Sequence, residues 1–190
     1  MKKILCILLL LLTGCSSKTS MIEIQKHVYV EKEFKDSWLE TNEFGDSYIK
    51  EELQGGYHYH FDQQFLEIFF NTGGKIELYN YSIKKNDLII SGEMIPPKTI
   101  RLVHPHLDNV TSEGVIIHEL GHYFDEKHQF SSSKQFTELY KKYRTLFNQK
   151  TKKEYFAECF KEYVGNHQEK VKPFQSYMET ITKKIRQNNK

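Results

Sequence analysis

Apolar and polar positions alternate along the first half of the chain and recur with a helical period along the second half. The short alternating stretches predict strands, which fall at 22–30, 75–82, 88–90 and 99–103. The first half also carries two predicted helices, one over 32–52 with a break near Gly45 and one from Asp62 to about Asn71. The longer periodic stretches predict helices at about 111–127, 133–147, 152–166 and 174–187. Strands that precede a group of helices are typical of an α+β domain.

The start of the chain has a different pattern, that of a processed leader. Two lysines precede an aliphatic run from Ile4 to Leu12, which is too short to span a bilayer. The run ends in the form of a lipobox, in which a peptidase cuts before Cys15 and the cysteine sulfur carries a diacylglyceryl group. An ordinary secretory signal, with Cys15 there by accident, is the alternative. We expect a lipoprotein signal peptide, a lipidated cysteine with a polar tether, and a single domain, at 1–14, 15–21 and 22–190 respectively.

Such a chain would be extracytoplasmic and held at the outer face of a membrane by its lipid. The full sequence has 27 basic and 25 acidic residues, and loss of Lys2 and Lys3 with the leader would leave 25 of each. A balanced chain has no basic footprint for nucleic acid, so we expect no nucleic-acid partner. Length and charge are compatible with a monomer. Cys159 would be the only thiol outside the leader and lipid site, and we interpret it as a small apolar residue of a buried helix.

Candidate chemistry lies in the segment His118-Glu119-Leu120-Gly121-His122. Two histidines four residues apart lie on one face of a helix and can hold a single Zn²⁺ between them. Glu119 would then lie beside a metal-bound water and could take its proton. A hydrolytic zinc site needs a third protein ligand and an open position for water.

The sequence offers two kinds of candidate for that third ligand. His128 follows His122 by six residues, as in the metzincins, but that pattern needs a glycine where this chain has Asp125. Glu154 and Glu158 are stronger candidates, because they lie one turn apart on one predicted helix. One could bind zinc while the other accepts the free ring N–H of a zinc-binding histidine. Spacing does not decide which carboxylate does which, and both could instead face solvent.

The segment 118–122, together with Glu154-Tyr155-Phe156-Ala157-Glu158, resembles the catalytic domain of anthrax lethal factor and its smaller secreted relatives, which include the Pro-Pro endopeptidases. Asn71-Thr72-Gly73-Gly74-Lys75 resembles the helix-to-strand turn of that family, and Pro173-Phe174-Gln175 resembles its C-terminal segment. The resemblance covers about 60–190.

The resemblance implies a zincin-like fold and a zinc-dependent endopeptidase that binds one Zn²⁺. The zinc ligands that it implies are His118, His122 and Glu154. It implies Glu119 as the general base, with Glu158 and Asp125 supporting the site. The substrate would be an extracellular or surface protein or peptide, extended along an edge strand of the sheet. We expect Lys75–Ser82 to provide that edge.

One position departs from the family pattern. The family usually carries a tyrosine seven residues before the glutamate ligand, and its hydroxyl is thought to stabilise the oxyanion. This chain has Phe147 at that place. Loss of one oxyanion donor lowers the rate by about 10²–10³. Either Tyr140 or Tyr143 reaches into the site from a shifted loop, or the activity is weakened.

Two other functional classes stay open beside the enzyme. One is a weak or inactive protein-binding module on the same fold, and the other is a surface lipoprotein that stores or senses zinc. A binding module has no need to keep all of His118, Glu119, His122 and Glu154, which favours the enzyme.

Two further histidine pairs are candidates for function, the first for a second metal site and the second for the lining of the cleft. One pair is His58 and His60, which share a face if the segment is extended, and the other is His104 and His106. Neither pair has a carboxylate partner in register, so we interpret both as structural or surface groups.

Overall fold

A computed structural model describes residues 20–41, 45–56, 58–85, 88–104, 113–149 and 151–189. The expected signal peptide, Cys15 and His106 lie outside these ranges. Within them the strands occupy the first half and the longer helices the second, so the α+β prediction is confirmed. No helix in the described ranges is long and apolar enough to cross a membrane.

The main sheet has five strands. They are β1 (Met21–Gln25), β2 (Val28–Glu31), β3 (Lys75–Tyr79), β6 (Gly92–Ile95) and β7 (Thr99–Val103). Their order across the sheet is β1-β2-β3-β7-β6, with parallel pairing of β2 to β3 and of β3 to β7. The two edge strands run antiparallel to their neighbours. A separate hairpin joins β4 (Ile83–Lys85) to β5 (Leu88–Ile90).

The expectation that Lys75–Ser82 forms an edge is wrong, because β3 lies in the middle of the sheet. Alternation identifies a strand with one buried face, and here Ile76 and Leu78 are indeed fully buried. It does not identify the neighbours of that strand, which depend on how the chain crosses over. The edge on the β7 side is β6, a strand that the sequence pattern did not predict.

Seven α-helices are described. They are α1 (Lys35–Leu39), α2 (Tyr48–Leu53), α3 (Gln64–Asn71), α4 (Val115–His128), α5 (Lys134–Tyr143), α6 (Lys152–Val164) and α7 (Gln175–Gln187). The four predicted helices of the second half correspond to α4 through α7, with ends that differ by a few residues. Hydroxyl caps begin two of them, since Ser133 Oγ accepts the Phe136 N–H at 3.1 Å and Thr151 Oγ1 accepts the Glu154 N–H at 3.2 Å.

The helices α3, α4 and α6 meet in an aromatic core. Phe65, Phe124 and Phe160 are fully buried, and their ring centroids lie 5.4–5.9 Å apart. Such contacts add to the free energy gained from removing the rings from water. Between α4 and α6 the backbones approach closely at Gly121, where a Cβ would stand 2.9 Å from Ala157 Cα. This packing places the first turn of α6 opposite the middle of α4.

Candidate metal centre

Helix α4 presents two imidazoles and helix α6 presents one carboxylate at the same point. The rings of His118 and His122 lie one turn apart, with centroids 4.8 Å from each other. Glu154, in the first turn of α6, brings its Oε2 to 3.3 Å from the Nε2 of each histidine. In the described part of the chain, these three side chains form the group of His, Cys, Asp or Glu residues that could share one metal ion.

The spacing of these atoms fits a small tetrahedral ion. Zinc–ligand bonds of about 2.0–2.1 Å at tetrahedral angles separate neighbouring ligand atoms by roughly 3.3–3.4 Å. Both nitrogen–oxygen distances are 3.3 Å, and all three ligand atoms lie within 4.8 Å of one another. The mix of two imidazoles and one carboxylate also suits Zn²⁺. The residues present therefore fit the metal that the motifs predict.

Glu158 contacts the other side of the first histidine. Its Oε2 lies 3.2 Å from His118 Nδ1, while Nε2 of the same ring faces Glu154. An ionised carboxylate can only accept, so Nδ1 carries the hydrogen of this bond. Spacing in the sequence left open which glutamate lies at the metal position and which accepts the ring N–H. In the structure, Glu154 lies beside both Nε2 atoms and Glu158 lies beside Nδ1 of His118.

The charges around the imidazoles favour a cation. Burial lowers the pKa of His118, but hydrogen bonds with Glu154 and Glu158 outweigh it and raise the pKa to about 9. Hydrogen bonds from His118 and His122 hold the pKa of Glu154 well below its usual range. Burial raises the pKa of Glu158, yet His118 and Lys161 together bring it below its ordinary value. Two ionised carboxylates thus hold a positive charge at this point.

Glu119 lies next to the triad and is almost completely buried, with 6% of its surface exposed. Burial raises the pKa of this carboxyl, while the charges of His118 and His122 and a backbone hydrogen bond from Met94 lower it. The net result is a pKa above the ordinary value. A buried carboxyl with a raised pKa beside a candidate metal site is the kind of group that transfers protons in catalysis.

The site opens into a cleft of about 740 Å³ between α4 and α6 on one side and β6 on the other. Its described lining comprises Ile90, Gly92, Glu93, Met94, Pro96, His118, Glu119, His122, Asp125, Glu126, Asn148, Gln149, Thr151, Lys153 and Glu154. The contribution of β6 does not follow from the sequence pattern. The only signal was the short segment Gly92–Ile95 ahead of the Pro96-Pro97 break, which is too brief to show alternation.

Asp125 is buried, and Ser131 engages both of its oxygens. The backbone N–H of Ser131 donates to Oδ1 and its hydroxyl donates to Oδ2, each at 2.6 Å. These bonds fix the turn that follows α4, where Gln129 adopts a left-handed conformation with a φ of 57°. Asp125 therefore acts on the end of the helix that carries both histidines.

The aromatic residues before α6 pack behind the cleft. The Phe147 ring lies 5.2 Å from Tyr155, and the Tyr140 ring lies 5.1 Å from it. Tyr143 packs against Phe174 at 6.0 Å, and its carbonyl accepts the Tyr155 hydroxyl at 2.5 Å. The described lining of the cleft contains no tyrosine. Tyr140 and Tyr143 both belong to this aromatic cluster, so neither takes the place of the family's tyrosine in this structure.

Three other histidines and the thiol are not part of this triad. His128 packs on Phe130 with ring centroids 5.0 Å apart and is not in the metal-binding group. His58 pairs with Glu113 on the surface. His104 is buried beside Trp38 and Tyr48. Cys159 is fully buried, and burial raises its pKa strongly, which fits its interpretation as an apolar core residue.

Comparison with known proteins supports the fold. No protein-family model matches the chain, and no curated protein does. Among solved structures, the chain is similar to the Pro-Pro endopeptidase PPEP-2 from Paenibacillus alvei, with a TM-score of 0.50 and 15% sequence identity. The match covers 63% of this chain and 84% of that one. Similarity at this level indicates a distant relationship of fold, which agrees with the zincin-like architecture predicted from the motifs.

Proposed function

We propose that this chain is a zinc-dependent endopeptidase that acts outside the cytoplasm on extracellular or surface proteins. One observation carries the proposal. The Nε2 atoms of His118 and His122 converge with Glu154 Oε2 beside the buried Glu119, at the floor of an open cleft. The fold shared with a solved peptidase supports the same class of activity.

In this proposal His118, His122 and Glu154 hold one zinc ion. When bound, the ion supplies Lewis acidity, which polarises a peptide carbonyl and lowers the pKa of water toward about 7. Glu158 holds the His118 ring through Nδ1, so that Nε2 faces the point shared with Glu154 and His122, where the ion would bind. Asp125 holds the end of α4 through Ser131.

Glu119 is the general base of this proposal. Its carboxylate takes a proton from the attacking water and returns it to the leaving amine. Burial raises the pKa of Glu119 above its ordinary value, so the carboxylate holds the proton more readily once it has taken it. The hydrogen bond from the Met94 backbone fixes the carboxylate against β6, so that it faces the cleft.

The substrate would lie along β6. Ser91 accepts a hydrogen bond from the Val103 N–H at 2.8 Å, and antiparallel pairing alternates, so Gly92 and Met94 turn their main-chain groups away from β7. Both residues line the cleft. An extended peptide could therefore add itself to this edge as a further strand. This replaces Lys75–Ser82 as the proposed edge.

The location of the enzyme is part of the proposal. A lipid on Cys15 would hold the domain at the outer face of a membrane, within reach of surface proteins. We propose a monomer that takes a protein or peptide substrate and binds no nucleic acid. A peptide with a Pro-Pro bond is a natural first probe, because the solved structure with this fold is a Pro-Pro endopeptidase.

A second candidate is a weak or inactive protein-binding module, or a zinc-binding surface lipoprotein. Phe147 favours this second candidate, because it stands at the sequence position where the family carries its oxyanion donor. Its ring packs against Tyr155. The intact set of His118, Glu119, His122 and Glu154 favours the enzyme.

A peptide-library cleavage assay with the full chain separates these candidates. We expect zinc-loaded wild type to cleave and Glu119→Ala to be slower by about 10²–10⁴, the usual contribution of a general base. The zinc content of the two proteins should be the same. Glu113→Ala, at an exposed glutamate just before α4, is the matched control and should cleave like wild type.

Equal cleavage by wild type and Glu119→Ala would end the peptidase proposal. Absence of cleavage by zinc-loaded wild type across the library would favour the binding module. Removal of zinc with a chelator should abolish wild-type cleavage, and addition of zinc should restore it.

A further inference from the structure

Lys161 is held in one place beside the metal centre. It follows Glu158 by three residues on α6, its side chain is 16% exposed, and its Nζ lies 2.7 Å from Glu158 Oε1. Its methylene chain passes close to the start of α4, where a Cβ at Gly114 would stand 2.8 Å from Lys161 Cδ. Its ammonium lies 5.8 Å from the ring centroid of Tyr59, within cation–π range. An ordinary surface lysine is far more exposed and less confined than this one.

Glu158 connects this lysine to the first histidine. One of its oxygens contacts Lys161, and the other lies 3.2 Å from His118 Nδ1. The opposite atom of the same ring, Nε2, lies 3.3 Å from Glu154 Oε2. Three successive contacts thus lead from a proposed metal ligand to the ammonium group.

The other acidic neighbour of Lys161 has partners of its own. Glu162 Oε1 lies 3.7 Å from Lys161 Nζ, but it also accepts the Tyr59 hydroxyl at 2.9 Å. The second oxygen of Glu162 lies 3.1 Å from His167 Nδ1 and 3.2 Å from Lys170 Nζ. Loss of Lys161 would therefore leave Glu162 with several other partners. The same loss would remove the close contact to Glu158 Oε1.

We propose that Lys161 is a positioning residue of the metal centre, because its ammonium fixes Glu158 and thereby orients the His118 ring toward Glu154 and His122. This inference rests on the zinc binding of the proposed function, but not on peptide cleavage. Without the ammonium, Glu158 Oε1 loses its close donor, and the carboxylate can turn away from His118. Partners of metal-binding histidines contribute 10–100-fold to metal affinity, and a residue one contact further out should contribute about tenfold.

Zinc affinity of the full 190-residue chain tests the inference. Dissociation constants are measured by competition with a chromophoric chelator for wild type and three variants. We expect Lys161→Met to bind zinc about tenfold more weakly, and Lys161→Arg to stay close to wild type because a cationic donor is retained. Lys170→Met is the matched control, since it removes a lysine that pairs with Glu162. It should bind zinc as wild type does.

A double-mutant cycle identifies the route. On a Glu158→Gln background, Lys161→Met should cause no further loss, because the two residues act through one contact. Full additivity of the two losses would overturn the inference. Wild-type or tighter affinity in Lys161→Met would overturn it too, since loss of a nearby positive charge by itself favours a bound cation. Equal losses in Lys161→Met and Lys170→Met would also overturn it, because the effect would not be specific to the lysine that contacts Glu158.

Near-ultraviolet circular dichroism of the zinc-free proteins confirms that each variant is folded. If Lys161→Met does not fold, the same comparison is made with Lys161→Gln, for which at least threefold weaker binding is expected and unchanged binding would overturn the inference. A wild-type chain that binds zinc but cleaves no peptide would contradict the proposed function alone. A wild-type chain without zinc affinity would contradict both.

Discussion

The two walls of the cleft contribute different chemical groups, one mainly side chains and the other mainly backbone. The helical wall, formed by α4 and α6, contributes the side chains of His118, His122, Glu119 and Glu154. The strand wall, formed by β6 (Gly92–Ile95), contributes mainly backbone, including the hydrogen bond from Met94 to Glu119. Side-chain chemistry restricts which residues can stand at a position, whereas backbone hydrogen bonding is open to almost any residue. The helical wall is therefore visible in the sequence and the strand wall is not.

The two walls also differ in how deeply the residues next to the cleft are buried. Glu119 is buried, and Leu120 and Cys159, which follow Glu119 and Glu158 in the sequence, are fully buried, whereas the three candidate ligands are themselves only partly buried. All four residues of β6 are only partly buried. An exposed edge strand is less constrained by packing, and an added strand of substrate would complete its hydrogen bonding. In the proposed function, the helical wall would hold a metal ion and the strand wall would receive a peptide.

The largest effect is expected where the helical wall loses a ligand. Glu154→Gln replaces the carboxylate that lies 3.3 Å from both Nε2 atoms with a neutral amide. We expect zinc affinity to fall by more than about 100-fold, beyond the 10–100-fold typical of an outer partner. Chelator competition measures this, with Glu158→Gln, one turn further along the same helix, as the matched comparison.

A greater loss of zinc in Glu158→Gln than in Glu154→Gln would reverse the roles of the two glutamates. Glu154 also lies in the first turn of α6, where a negative charge stabilises the helix by about 0.3–1 kcal/mol. Thermal unfolding of the zinc-free proteins measures that contribution together with the lost contacts to His118 and His122.

The contrast between the helical wall and the strand wall also explains which parts of the fold and of the site the sequence could predict. The second-half helices and the position of Glu119 between the histidines follow from local periodicity and spacing, and the structure has α4 and α6 where they were expected. Spacing could not decide between Glu154 and Glu158, because two residues one turn apart share a face and only the partner helix distinguishes them. It could not place β3 or β6 in the sheet, since strand order depends on chain crossovers. Nor could it show that Tyr140 packs against Tyr155, behind the cleft.

A smaller effect is expected at the strand wall. Met94→Pro removes the N–H that bonds to Glu119, and an edge strand tolerates proline where the N–H faces outward. A hydrogen bond to a charged group is worth about 1.5–3 kcal/mol, so we expect kcat to fall by about 10–100-fold. Met94→Ala loses the same side chain but keeps the N–H, and it should retain more of the activity. Equal kcat values for the two variants would show that the side chain, rather than the backbone, is what β6 contributes.

The smallest effect is expected where the two helices of the helical wall touch. A Cβ at Gly121 would stand 2.9 Å from Ala157 Cα and 3.2 Å from Phe160 Cβ, so Gly121→Ala must push α6 away from α4. Overpacking costs about 1–3 kcal/mol, and the better helix propensity of alanine returns about 0.5–1 kcal/mol, which leaves a net destabilisation of about 1 kcal/mol. Chemical denaturation of the zinc-free protein measures it, with Lys183→Ala on the exposed face of α7 as a control that should change stability by less than about 0.5 kcal/mol. Because Glu154 moves with α6, zinc affinity should fall in the same variant. Unchanged stability and unchanged zinc affinity would mean that the close approach of α4 and α6 does not set the geometry of the metal centre.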